Sequence, residues 1–254
     1  MQQYLEIFKS YTAPYLERGL YEKDGNFELK YKHSFEVYEN SRAICKSLTL
    51  EGEFAETVQV AALYHDTGRF PQYEKYGTFR DADSCNHGTL GVRTILREKL
   101  LDFMSPDARK TVLAAIALHN RRHIPDKLTN DKFITAAEIV RDSDKIDIIR
   151  ILLHQMDNIG PASTVALMGL EDNPSQVSGT ILTSLEHKAQ ANYLDMKCVN
   201  DFRLLVLSWA FDLNFPWSRQ QMLQSGCVDR LFEKLPENSR ITALYKMIIE
   251  QLNS

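Results

Sequence analysis

The chain has 254 residues, 44% of them hydrophobic and 25% charged, an ordinary globular composition with room for one large domain or two small ones. A formal net charge of −4 argues against a general nucleic-acid binder, which carries a basic excess. No run approaches the roughly 18–20 uncharged apolar residues of a membrane span, and Met1-Gln2-Gln3-Tyr4-Leu5-Glu6 lacks the charged-then-apolar pattern of a signal peptide, so a cytoplasmic protein without membrane contact is expected.

Eleven glycines and eight prolines are few for this length, and no alternating apolar run is long enough to read as a strand. The expected fold class is all-α: one helical domain over 1–254, with a compact core at about 25–155 and additional C-terminal helices at about 160–254. His33 opens the first apolar stripe, followed at helical spacing by Val37, Ile44 and Leu48. Phe54, Val58, Ala61 and Ala62 form the second, with His65 on its last turn and Asp66 beside it. Residues 67–85 read as the longest irregular stretch, joining two helices and passing over what they hold. Its aromatics Phe70, Tyr73, Tyr76 and Phe79 suit stacking on a base or sugar, and at least two are expected to form the loop's own small core.

His87 opens a further helix in which Gly88 and Gly91 allow a neighbour to come close. Ser105-Pro106 supplies a cap and a first-turn proline to the helix whose Val112, Ala115 and Ile116 lead to His119. His123, shortly before Pro125, reads as a loop residue. Phe133, Ala137 and Val140 lead to Asp144, and Ile148 and Ile151 continue that face. Asp142 shares its face with Glu138 and Lys145 and reads as solvated, so periodicity favours Asp144 as the inward carboxylate. Residues 153–174, with Gly160-Pro161 and Asn173-Pro174, form a candidate boundary. A helix from Ser175 to about His187 comes next. A long apolar helix then runs from near Asp195 through Trp209, Phe211 and Leu213. Pro216-Trp217-Ser218 breaks it, and short helices continue through Ile248.

Apolar stripes of this period face the core. A histidine on such a face is ordinarily bonded to a backbone carbonyl, and a lone inward aspartate is ordinarily paired with a cation. Here a ligand-type residue falls on each of four inward faces, and independent explanations would have to coincide. Imidazole and carboxylate together suit Zn, Mn, Fe, Co or Ni. A buried ionised carboxylate is costly unless paired or metal-bound.

The order His33, His65-Asp66, Asp144 resembles the HD-domain superfamily of metal-dependent phosphohydrolases. Ala61-Ala62-Leu63-Tyr64-His65-Asp66-Thr67-Gly68 is similar to that family's hydrophobic helix ending in His-Asp-x-Gly, and Asp142-Ser143-Asp144-Lys145-Ile146 to its last aspartate motif. His87 and His119 extend the likeness to members that hold two metals. The resemblance implies His33, His65, Asp66 and Asp144 for one ion and Asp66, His87 and His119 for the other, Asp66 bridging with its two oxygens. It spans roughly 25–155 and says little about the last hundred residues. The implied cofactor is one or two divalent ions (Fe, Mn, Ni, Co or Zn, with Mg admissible).

The implied activity is hydrolysis of a small phosphate ester or anhydride, a nucleotide being the expected substrate. Asp66 would also orient the attacking water, and Arg69 and then Lys145 would contact phosphate, guanidinium by its fork and ammonium as a point charge; for each, an ordinary salt bridge is the competing role. A di-iron oxygenase of the same superfamily and a non-catalytic metal- or nucleotide-binding regulator remain as alternatives. Cys45, Cys85, Cys198 and Cys227 show no ligand or disulfide spacing. Apolar C-terminal faces are compatible with a homodimer.

Overall fold

Helices, with no strand among the described residues, make up the computed structural model, which describes residues 1–157, 170 and 172–254. The chain forms two compact units, Met1–Asp144 and Lys145–Ser254. No helix among the described residues is long and apolar enough to cross a membrane.

The first unit contains α1 (Gln2–Glu22), α2 (Asn26–Ser47), α3 (Gly52–Tyr64), α4 (Arg69–Tyr76), α5 (His87–Arg97), α6 (Pro106–Leu118) and the start of α7 (Asp131–Asp157). Helix α3 lies between α2 and α6, and α5 packs on α6. The stripes read from the sequence are the packed faces: Val37 and Ile44, Val58, Ala61 and Ala62, and Val112, Ala115 and Ile116 are all fully buried. Ser105 accepts from the Ala108 amide with Pro106 in the first turn of α6, and Asn86 caps α5 through the Thr89 amide. Each cap fixes where a histidine-bearing helix starts.

Glycines set the closeness of the turn after α3. A Cβ on Gly68 would lie 2.2 Å from the His87 carbonyl oxygen, and one on Gly88 would lie 2.8 Å from that of Ile116. Backbone contact of this kind tolerates no side chain, so the His65–Gly68 turn sits directly on the first turn of α5.

The stretch 67–85 is not irregular, contrary to its sequence reading. It contains α4 and a short 3-10 turn, Asp81–Asp83. Pro71 falls in the first turn of α4, where proline is tolerated, and Gly77 ends the helix in the left-handed conformation at φ 63°. Both residues signal a loop in the sequence and here only bound a helix. Phe70 is fully buried and meets Phe8, Tyr11, Tyr15 and Phe27. Tyr73 packs on Phe27 and Phe79, whereas Tyr76 is exposed. Helix α1 thus supplies an aromatic bed beneath the His65-Asp66 turn, and Tyr11 donates to the Thr67 carbonyl at 3.1 Å.

The second unit contains α8 (Gly179–Glu186), α9 (Val199–Ser208), α10 (Pro216–Gln224), α11 (Cys227–Phe232) and α12 (Ser239–Leu252), around a core that includes Leu185, Leu204, Leu207, Leu231 and Ile248. Two starts differ from expectation. The helix expected at Ser175 begins at Gly179, because Asn173 Oδ1 accepts from the Ser175 amide and hydroxyl and holds a turn. The helix expected near Asp195 begins at Val199, where buried Asp201 accepts from the amides of Ser178 and Lys197. Helix α9 ends at Ser208 and a 3-10 turn, Trp209–Phe211, follows it, so Pro216 does not break that helix but opens α10. Gly160-Pro161 lies outside the described residues.

Candidate metal centre

Helix ends deliver most of the cluster. His65 ends α3 with Asp66 next to it, His119 ends α6, His87 begins α5, and His33 and Asp144 project from within α2 and α7. His33, His65, Asp66, His87 and His119 are all buried, while the Asp144 side chain keeps 21% of its surface. Three ligand sets have their donor atoms within 4.8 Å of one another: His33, His65 and Asp66; His65, His119 and Asp144; and Asp66, His87 and His119.

Asp66 turns one oxygen to each side. Its Oδ2 is 3.6 Å from Nε2 of both His33 and His65, and its Oδ1 is 3.4 Å from Nε2 of His87 and 3.8 Å from that of His119. Asp144 Oδ1 is 3.0 Å from His33 Nε2 and 3.7 Å from His65 Nε2. Ligands about 2.1 Å from one ion stand about 3.0 Å apart in an octahedron and about 3.4 Å apart in a tetrahedron. The observed separations, 3.0 to 3.8 Å, run from the octahedral spacing to a few tenths of an ångström beyond the tetrahedral one, so small shifts would bring these atoms around a common ion.

Protonation strengthens that fit. His119 Nδ1 faces the Ile116 carbonyl at 2.7 Å, and His65 Nδ1 faces that of Ala62 at 2.8 Å. A carbonyl only accepts, so both Nδ1 atoms carry a proton, and in the neutral ring Nε2 then presents a lone pair. His87 Nδ1 is 2.8 Å from both oxygens of Asp81 and is fixed likewise. The Nε2 atoms of His87 and His119 then point at each other across 2.9 Å, two lone pairs that repel unless a cation lies among them. The cluster therefore has the donor chemistry to bind a divalent ion.

Burial pushes the His65 imidazole down to about 4 against the nearby carboxylate charges, and pushes His87 down to about 3 with help from the Arg69 charge. Burial alone would raise Asp66, but Lys30, His65, His119 and Arg69 outweigh it and hold the carboxyl well below the usual range. Asp144 is lowered in the same way, against burial, by the hydrogen bond from His33 and by His65. In the unfolded chain a histidine takes its proton near pH 6.5. The unfolded state therefore binds more protons than the folded one below that point, and metal-free protein loses stability as pH falls from about 6.5 toward 4, with no contribution from these two rings above 6.5. Melting curves of chelator-stripped protein should show a flat Tm above about pH 7 and a decline below 6.5; a Tm constant down to about pH 4.5 would contradict the assignment.

Arg69 stands beside the cluster. Its Nε is 3.5 Å from Asp66 Oδ1 and is buried without a hydrogen bond, while its Nη1 donates to Gln72, Asp81 and the Phe79 carbonyl. Lys145 is engaged in the second unit, its Nζ 2.6 Å from Asp212 Oδ2. His123 is exposed and belongs to no ligand set. Asp142 is not solvated as its helical face implied: it is fully buried, and Arg141 and Lys145 beside it are buried too. Arg141 donates to the carbonyls of Arg121 and Arg122, so the charged residues of this part of α7 are held inside rather than turned to water. The four cysteines are free thiols, with Cys45 buried and Cys85 partly exposed.

Two residues escaped the sequence reading. Asp81 accepts from His87 Nδ1 at 2.8 Å, Arg69 Nη1 at 3.0 Å, Gln72 Nε2 at 3.0 Å and Asn120 Nδ2 at 3.1 Å. Lys30 places its Nζ 2.8 Å from Asp66 Oδ2. Asp81 lies on a short turn where no period marks it. Lys30 sits three residues before His33 on α2, so its helical spacing was a usable signal.

Residues 31–149 match the family model described as HD domain. The chain carries an HD domain. The match covers every residue of the cluster, from His33 to Asp144. Neither a search of curated proteins nor one of solved structures found a match. HD domains are mostly metal-dependent hydrolases, and the buried cluster fits the metal site of that family.

Proposed function

We propose that this HD domain hydrolyses a small phosphate ester or anhydride, with nucleotides as the substrate class. The observation that carries the reading is the divided Asp66 carboxylate, with Oδ2 toward His33 and His65 and Oδ1 toward His87 and His119. His33, His65, Asp66 and Asp144 would hold one divalent ion, and Asp66, His87 and His119 a second. The donor set contains no thiolate, which suits Mn, Fe, Co, Ni or Zn. Bound there, such ions lower the pKa of water and neutralise charge on phosphoryl oxygens.

The chain's own groups supply the rest. Asp66 accepts a hydrogen bond from the attacking water and orients it. Arg69, anchored through Nη1 and with Nε lacking an acceptor, donates to a phosphate oxygen. Of the two cations named from the sequence, Arg69 is assigned this role, because Asp212 engages Lys145. Phe79, partly exposed, stacks on Tyr73 with ring centroids 4.7 Å apart and has Lys30 and Arg69 over its face at 5.4 and 5.9 Å. An aromatic surface beside cations supports a nucleotide over a bare phosphate ester.

Phosphate release from a panel of nucleotides and an aryl phosphate, in the presence of Mn(II), Co(II) or Ni(II), tests the reading. Release that depends on added metal is expected. Metal-loaded protein that releases no phosphate from any member of the panel would overturn it, and oxygen consumption by the iron-loaded form would point to the oxygenase alternative.

A further inference from the structure

Lys30 sets an ammonium against the Asp66 carboxylate from one residue before the matched HD segment begins. Its Nζ contacts Asp66 Oδ2 at 2.8 Å, the same oxygen that stands 3.6 Å from His33 and His65. An ammonium and a divalent ion therefore compete for one oxygen. The Lys30 side chain keeps 17% of its surface and that of Arg69 15%, so neither side chain is sealed from solvent.

The charge balance changes sign when metal binds. Lys30 and Arg69 pair with Asp66, Arg69 also with Asp81, and Asp144 lies beside His33; with neutral histidines these three carboxylates and two cations leave the metal-free cluster a single net negative charge. One divalent ion turns that into a net positive charge, and a second ion raises it further. Such a partly buried excess is costly unless an anion joins it.

We propose that Lys30 is a phosphate-binding residue held in reserve on Asp66: in the metal-free protein it neutralises that carboxylate, and when a divalent ion takes the oxygen its ammonium turns to the substrate phosphate. The inference rests on the proposed metal site and adds to it a residue and a coupling. Metal and phosphate then bind with positive cooperativity. By linkage each tightens the other by the same factor, and Lys30 carries part of that factor.

The test is Mn(II) titration, by calorimetry, of wild type and Lys30→Met with and without inorganic phosphate, with Lys30→Arg as the conservative variant and thermal melts to verify folding. In wild type, phosphate should tighten Mn(II) binding by about fivefold or more. Lys30→Met should bind Mn(II) at least as tightly as wild type in the absence of phosphate, because the competitor is gone. Its Mn(II)-loaded form should bind phosphate about tenfold more weakly, and Lys30→Arg should recover most of that loss. Unchanged phosphate affinity in a folded, Mn(II)-loaded Lys30→Met protein overturns the Lys30 inference and leaves the metal site standing. Failure of wild type to take up Mn(II) overturns both.

Discussion

Asp66→Ala is expected to abolish metal-dependent phosphate release, to at least about 10³-fold below wild type, and to remove both ions together. The size of the effect comes from position. Among the described residues, Asp66 is the one whose two oxygens face both histidine pairs, at 3.4 to 3.8 Å, and it is also the oriented acceptor beside Arg69. Losing it leaves Lys30 and Arg69 facing the space where an ion would sit, so the cluster becomes repulsive to cations as well as short of a ligand. Activity assays paired with metal analysis of the purified variant measure this. Activity within tenfold of wild type, or Mn(II) retained at the wild-type ratio, would show that Asp66 is not the shared ligand. Asp66→Asn serves as a companion of similar shape, since it removes the charge and keeps the packing.

Asp81→Ala should weaken the second ion by about 10- to 100-fold and leave the first close to wild type. Asp81 touches no proposed ion. It holds the proton on His87 Nδ1 at 2.8 Å, which turns the Nε2 lone pair toward His119 and Asp66. It also ties Arg69, Gln72 and Asn120 to that turn. Without it the imidazole can exchange tautomers and rotate, and only the site containing His87 depends on that ring. Calorimetric titration with Mn(II) should resolve one tight and one weakened binding event. Equal weakening of both would mean that Asp81 only supports the fold, and no weakening would mean that His87 is not a ligand.

The parts of the site legible in the sequence are those on regular, one-sided helices. His33, His65 and His119 lie on the apolar stripes of α2, α3 and α6, and the stripes are the packed faces. Apart from Lys30, which shares helix α2 with His33 at helical spacing, what escaped lies where periodicity carries no information. Asp81 reaches His87 across a 3-10 turn of three residues. Helix α4 was hidden by Gly68, Pro71 and Gly77, which punctuate a loop in sequence but here form a tight turn, a first-turn proline and a left-handed helix end. Glu138 and Lys145 mark the face of Asp142 as solvated in the sequence, yet Lys145 is buried against Asp212 and Asp142 is fully covered. Asp144 still proved to be the carboxylate beside His33, so periodicity chose the residue while misjudging its neighbour. The bed of α1 under the His65-Asp66 turn also lay beyond the expected core, because Phe8, Tyr11 and Tyr15 carry no motif and act through ring contacts with Phe70 and the Tyr11 bond to the Thr67 carbonyl.

Anomalous diffraction at the manganese edge, from crystals of the Mn(II)-loaded protein, bears most directly on the claim that these six side chains share metal. Two peaks about 3.5–4 Å apart are expected, one ligated by His33, His65, Asp66 and Asp144 and the other by Asp66, His87 and His119. Manganese found only on surface carboxylates, with no peak inside the cluster, would contradict that claim.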